Sequence, residues 1–221
     1  MDYNKETNTL IIPNYFNNEL KNIPEETKII IFDNNYFLSL FNKKIDNLPN
    51  NLIHITFSED FNQKVDKLPK NLTHLIFRNN FNKKVDNLPQ NLTHLNFGDL
   101  FLNKIDNLPK NLTHLTFKCW FNEKLCNLPK NLKLLKLGWN FNNDFIFPKN
   151  LKKLLLTCNN KLINNIPKHI EKIYIDFDIC EKHNSKIDNL PLTIKEIVIE
   201  NEKFKKYIKI PFGCKITISK Y

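Results

Sequence analysis

Glycine is scarce in this chain, with 3 residues in 221. Chain reversals must therefore rest on Asn, Asp and Pro rather than on glycine's conformational freedom. Cysteine is sparse and unpaired. Cys119, Cys126, Cys158, Cys180 and Cys214 are odd in number, scattered, and include no CxxC pair. That spacing argues against a disulfide framework or a structural zinc motif, and it suits a reducing compartment. Long apolar runs are missing as well. No stretch approaches the roughly 20 residues of a membrane-spanning helix, and the start, MDYNKETNTLIIP, has no basic segment followed by an apolar one. The expectation is a soluble cytoplasmic protein with no membrane partner.

Chemistry-bearing motifs are absent too. There is no P-loop, GxGxxG or HExxH. Ser58 follows His54 closely, but no glycine turn of the oxyanion kind comes after it. The chain is read as no enzyme, with no catalytic residue, cofactor or metal assigned. Of 33 basic residues only Arg78 is arginine, and the net charge is +10. Lysine is a hydrated point charge, whereas bidentate readout of bases and phosphates favours arginine. Lys, Asn and Ile are also the residues of AT-rich codons. Nucleic acid is thus a less favoured partner than protein.

What the sequence does have is a repeat. From Phe41 it reads FNKKIDNLPNNLIHITFSED, from Phe61 FNQKVDKLPKNLTHLIFRNN, from Phe81 FNKKVDNLPQNLTHLNFGDL, from Phe101 FLNKIDNLPKNLTHLTFKCW and from Phe121 FNEKLCNLPKNLKLLKLGWN. A constant step of about 20 residues implies a solenoid, in which no unit can bury its apolar face alone. Proline cannot donate to a sheet ladder, so Pro49, Pro69, Pro89, Pro109 and Pro129 mark bends between extended segments. After each bend comes a strand in which Ile55 and Phe57, Leu75 and Phe77, Leu95 and Phe97, Leu115 and Phe117, and Leu135 and Leu137 alternate inward. Two further apolar columns face the same interior. One is Phe41 to Phe141 in steps of the repeat. The other is Ile45, Val65, Val85, Ile105 and Leu125 with Leu48, Leu68, Leu88, Leu108 and Leu128.

The expected fold is an all-β, right-handed solenoid with parallel strands on one face, about 20 residues per coil and little helix. It is one continuous domain. Residues 1–40 form an N-terminal cap with a degenerate first repeat, a strand at Ile29–Phe32 and an insertion at Asp33–Leu40. Residues 41–160 form the regular array. Residues 161–221 hold irregular repeats, a bulged loop at Cys180–Ser185, and a closing strand at Lys215–Ile218.

The stretch Leu72-x-x-Leu75-x-Phe77-x-x-Asn80 resembles the LxxLxLxxN core of leucine-rich repeats, as do Leu132 to Asn140 and Leu151 to Asn159. More closely, FN..I..LP..LTHL.F resembles the FNIP repeat, a leucine-rich-repeat relative found in social amoebae and in giant viruses of amoebae. The resemblance implies a protein-binding scaffold, placed in the host cytoplasm if the chain is viral. In that family the repeats often follow an F-box, and residues 1–40 carry no such helical pattern.

Three further patterns stand out. His54, His74, His94 and His114 recur at one position and should stack as a structural ladder; a shared metal or a pH response is the sharper alternative. Lys44 to Lys124 and Asp46 to Asp106 form neighbouring stripes that read as a solvated surface. The exposed strand positions vary from copy to copy on a constant frame, which is where a solenoid recognises partners. The candidate partner-binding residues are Ile76, Arg78, Thr116, Lys118, Lys136, Trp139, Leu155 and Tyr174. Leu100 and Trp120 replace the ladder Asn in two copies and are expected to turn inward. The alternatives to protein recognition are a structural or self-assembling component, for example of a virus particle, and an electrostatic nucleic-acid binder.

Overall fold

The computed structural model describes residues 1–33, 39–157, 160–177 and 186–219. Most of the Asp33–Leu40 insertion, the Cys180–Ser185 loop, and Cys158 and Asn159 lie outside these. The described residues form twelve strands: β1 Asp2–Asn4, β2 Thr9–Ile12, β3 Ile29–Phe32, β4 His54–Thr56, β5 His74–Ile76, β6 His94–Asn96, β7 His114–Thr116, β8 Leu134–Lys136, β9 Lys153–Thr157, β10 Lys172–Asp176, β11 Glu196–Ile199 and β12 Lys215–Ile218. They make a single sheet in sequence order. From β2 onward every pair is parallel and in the register the repeat dictates, His54 beside His74 beside His94 beside His114. The all-β, leucine-rich-repeat-like solenoid of roughly 20 residues per coil is as expected.

Proline sets the period. All eleven prolines head the same turn: each carbonyl accepts from the amide three residues on, at 3.0–3.2 Å, from Pro13–Phe16 to Pro211–Cys214. Asparagine closes the rest. The side-chain amides of Asn71, Asn91, Asn111 and Asn131 donate to carbonyls one coil back, at 3.0–3.3 Å. A second asparagine ladder runs on the opposite wall. There the Oδ1 atoms of Asn42, Asn62 and Asn82 accept from the amides of Asn62, Asn82 and Leu102, each at 3.0 Å. These side chains replace the hydrogen bonds a helix would supply on that wall.

The interior is a double column of phenylalanine. Phe57, Phe77, Phe97 and Phe117 sit 5.4–5.5 Å apart along the stack. Phe41 through Phe141 sit 6.1 Å apart. Within each coil the two columns meet at 3.7–4.0 Å. These spacings also give the curvature. Hydrogen-bonded strands lie about 4.8 Å apart, while rings on the outer side of the sheet, His74, His94 and His114, are 4.1–4.2 Å apart. Coil separation thus grows from the strand face through the core to the far wall. The solenoid bends with its strand face on the inside.

The ends depart from the repeat. The N-terminal segment is a hairpin, with β1 antiparallel to β2, where the sequence pointed only to a cap. The Asn4 side chain accepts from the amides of Glu6 and Thr7, and Asn8 takes φ 51°. Short polar side chains thus close the reversal without glycine. Two 3-10 turns, Lys161–Asn165 and Glu202–Tyr207, replace extended arms in the C-terminal half. Each begins on an asparagine, Asn160 or Asn201, whose Oδ1 accepts from the amide two residues on.

The concave strand face as candidate functional site

Two rows of outward side chains cover the inside of the bend. The first is the histidine ladder. Thr73, Thr93 and Thr113 precede three of its members, and each threonine hydroxyl donates to a carbonyl one coil back at 2.9–3.1 Å. Its single proton is then spent. The contact from the same hydroxyl to Nδ1 of His74, His94 and His114, 2.9 Å in each case, must therefore run from imidazole to threonine. The three rings carry their proton on Nδ1 and present a bare Nε2. His54 follows Ile53 rather than threonine, so it turns its Nε2 to Thr56 at 3.0 Å and stands farther from its neighbour, 5.4 Å.

Burial pushes all four histidines below their ordinary value of 6.5, and His94, flanked by His74 and His114, falls to about 4. A metal does not fit this ladder. Rings lie within 10–14° of parallel, so their Nε2 lone pairs point side by side and do not converge on one ion. Among the described residues no group of three His, Cys, Asp or Glu side chains could hold a metal.

The ladder makes a pH prediction. Folding holds these rings neutral, so their contribution is complete above 6.5 and is lost as pH falls below it, for His94 down to about 4. Melting temperature should drop across that window, and His94→Gln should flatten the slope. Parallel wild-type and variant curves from pH 7 to 4 would show the ladder uncoupled from folding. Glu171, held down to about 2 by Lys152 and Lys195, loses its part at lower pH.

The second row contains five of the eight candidate residues. Ile76, Asn96, Thr116, Lys136, Leu155 and Tyr174 are register neighbours across β5 to β10. Ile76, Thr116, Lys136 and Tyr174 are half-buried, but Leu155 is only 7% exposed. This corrects the expectation that it lies open: it sits between the longer Lys136 and Tyr174. Thr56 and Val198 are likewise buried. Arg78 and Lys118 lie beyond the strand ends. The Lys118 ammonium reaches back to Asn79 at 3.3 Å and to Asp99 at 3.8 Å. Trp139 is half-buried and meets Trp120 edge-on at 4.8 Å. The row and this margin adjoin, so the eight residues outline a band with Leu155 as its floor.

The inward placement of Leu100 and Trp120 is also corrected, since they are 43% and 46% exposed. Phe97, Phe101, Phe117 and Phe121 already fill the interior. The threonine row and the ion pairs Lys172–Glu196 and Lys152–Glu171–Lys195 were missed from the sequence. The recurring Thr-His pair was the available signal for the first. Alternating charge one coil apart was the signal for the second.

The FNIP repeat profile matches residues 41–80, 64–100 and 81–119. Residues 41–119 are thus similar to FNIP repeats. The FNIP coils carry the histidine ladder and the first part of the variable row. Among solved structures the chain is similar to CroV588, a giant-virus protein described as a novel circular leucine-rich-repeat structure, with 29% identity and a TM-score of 0.64. The similarity covers 92% of this chain, which spans only 35% of that protein. No curated protein matches the chain.

Proposed function

We propose that the chain is a non-catalytic recognition scaffold of the cytoplasm that binds a protein partner along its concave strand face. One observation carries the reading. The inward positions Ile55, Leu75, Leu95, Leu115, Leu135, Leu154 and Ile173 are all buried aliphatics, while their outward neighbours run Thr56, Ile76, Asn96, Thr116, Lys136, Leu155 and Tyr174 on the same strands. A row that varies on a constant frame suits recognition by shape and charge more than a repeated chemical step. Arg78 and Lys118 on the margin and Lys136 in the row favour an acidic partner surface. Changing all three to Glu should abolish capture of the partner by the tagged chain at both low and physiological salt while leaving the far-ultraviolet spectrum intact. Retention of every captured protein would refute the placement, and capture of nucleic acid alone, lost at high salt, would replace it with an electrostatic role.

A second reading rests on the curvature and on the circular relative: copies of this chain join end to end as an assembling component. Sedimentation should then show species above 26.4 kDa that grow with concentration. A constant monomer mass would end this alternative.

A further inference from the structure

Two polar ladders of the FNIP array are broken at the same place, and both breaks are apolar and exposed. One ladder is the Asn42, Asn62, Asn82 series, in which each side chain accepts from the next coil's amide. Asn122 continues it to Asn142 at 2.8 Å. Between them stands Leu102, 49% exposed, with no acceptor to offer Asn122. The other ladder has Asp60, Asn80 and Asn140. Asn80 donates to Asp60 at 2.7 Å and Asn140 to the Trp120 carbonyl at 3.2 Å. Its missing rungs are Leu100 and Trp120. Trp139 stands edge-on against Trp120, their ring centroids 4.8 Å apart.

In the free chain these substitutions are unfavourable twice over. Each gives up a ladder hydrogen bond, worth about 1 kcal/mol, and each holds a large apolar side chain in water. Isolated exposed leucines need no explanation, but coincident breaks in two ladders over consecutive coils make one contiguous patch. Trp is a favoured interface anchor. The rim is mainly cationic. Arg78 and Lys118 lie on the strand side and Lys104 and Lys124 on the other, against Asp99 and Glu123. With a net charge of +10, a second copy would meet like charge.

We infer that Leu100, Leu102, Trp120 and Trp139 form a docking patch for an acidic peptide segment of a partner protein, its apolar side chains packing on the two tryptophans. This rests on the scaffold reading and moves the anchor from the strand row to its margin.

The test selects random dodecapeptides displayed on phage against the full chain, with Leu100→Asn, Leu102→Asn and Trp120→Asn proteins as comparators. Enriched peptides should combine aromatic or aliphatic residues with Asp or Glu. They should lose at least about tenfold in affinity on the Trp120→Asn and Leu100→Asn proteins. Leu102→Asn restores a rung, and its melting temperature should rise by about 2–4 °C, which separates lost binding from lost folding. Peptides that bind these variants unchanged but fail on Ile76→Asp would overturn the patch and keep the scaffold. Enriched peptides without acidic residues would overturn the partner class. Self-association in light scattering that Trp120→Asn abolishes would assign the patch to a second copy. A monomer that enriches no peptide would overturn both the patch and the scaffold.

Discussion

Phe81→Ala should destabilise the protein by about 3–5 kcal/mol, the range for emptying a fully buried aromatic site. Phe81 touches three other rings. It lies 3.7 Å from Phe77 within its own coil and 6.1 Å from both Phe61 and Phe101 along the column. Nothing nearby can collapse into the space, because each neighbour is itself held by the next coil. In a solenoid, stability is a sum of unit and nearest-neighbour terms. Damage in the middle of the array therefore weakens two interfaces at once. For a chain of this length the melting temperature should fall by roughly 6–20 °C at about 2–4 °C per kcal/mol. Phe41→Ala, nearer one end, should also be severe, while Phe212→Ala should be nearly silent, since that ring is 99% exposed. Calorimetry on the three variants checks the order. Equal losses for Phe81 and Phe212 would contradict the stacked interior.

Gly98→Ala should cost about 3 kcal/mol, at the upper end for overpacking, despite adding a single methyl group. A Cβ at position 98 would lie 2.0 Å from the Arg78 carbonyl oxygen and 2.2 Å from its carbon. Both atoms are backbone, so no side-chain rotation relieves the collision, and two coils must separate. Two coils further on the situation recurs, with a Cβ at Gly138 only 2.3 Å from the Lys118 carbonyl oxygen. Positions 58, 78 and 118 in the same column carry Ser, Arg and Lys, so the close approach belongs to particular pairs of coils and not to every repeat. Arg78→Ala and Lys118→Ala should therefore change stability little. Urea unfolding of the four proteins separates the cases: a Gly98→Ala midpoint equal to that of Lys118→Ala would remove the argument.

The contrast between Phe81 and Gly98 also marks where the sequence could be read. The phenylalanine column was legible because it recurs at one spacing, and a constant spacing in a parallel solenoid puts like residues on top of one another. Strands β4 through β12 were legible for the same reason, as a proline turn followed by alternation, and β3 as a β-branched run after Pro24. Gly98 was visible only as a departure from the repeat. The N-terminal hairpin was missed because a single Thr-Leu-Ile-Ile segment, outside the period, has no neighbouring copies to compare.

The site was less legible than the frame. The sequence placed Ile76, Thr116, Lys136, Leu155 and Tyr174 in one row, and register alone was enough for that. It could not say that Leu155 would be covered, because coverage depends on the lengths of the side chains on adjacent strands. Nor could it say that Leu100 and Trp120 would face water. Their fate turned on whether the interior had room, and the paired phenylalanine columns had already filled it. The histidine ladder shows the same division. Its existence follows from a twenty-residue period, but its proton positions follow from threonine hydroxyls that have already spent their hydrogen on a carbonyl one coil back. Periodicity, acting through the chain's own spacing, determined the fold of this protein. Exposure, tautomer and curvature were decided only by three-dimensional packing, because each depends on how much space neighbouring coils leave one another.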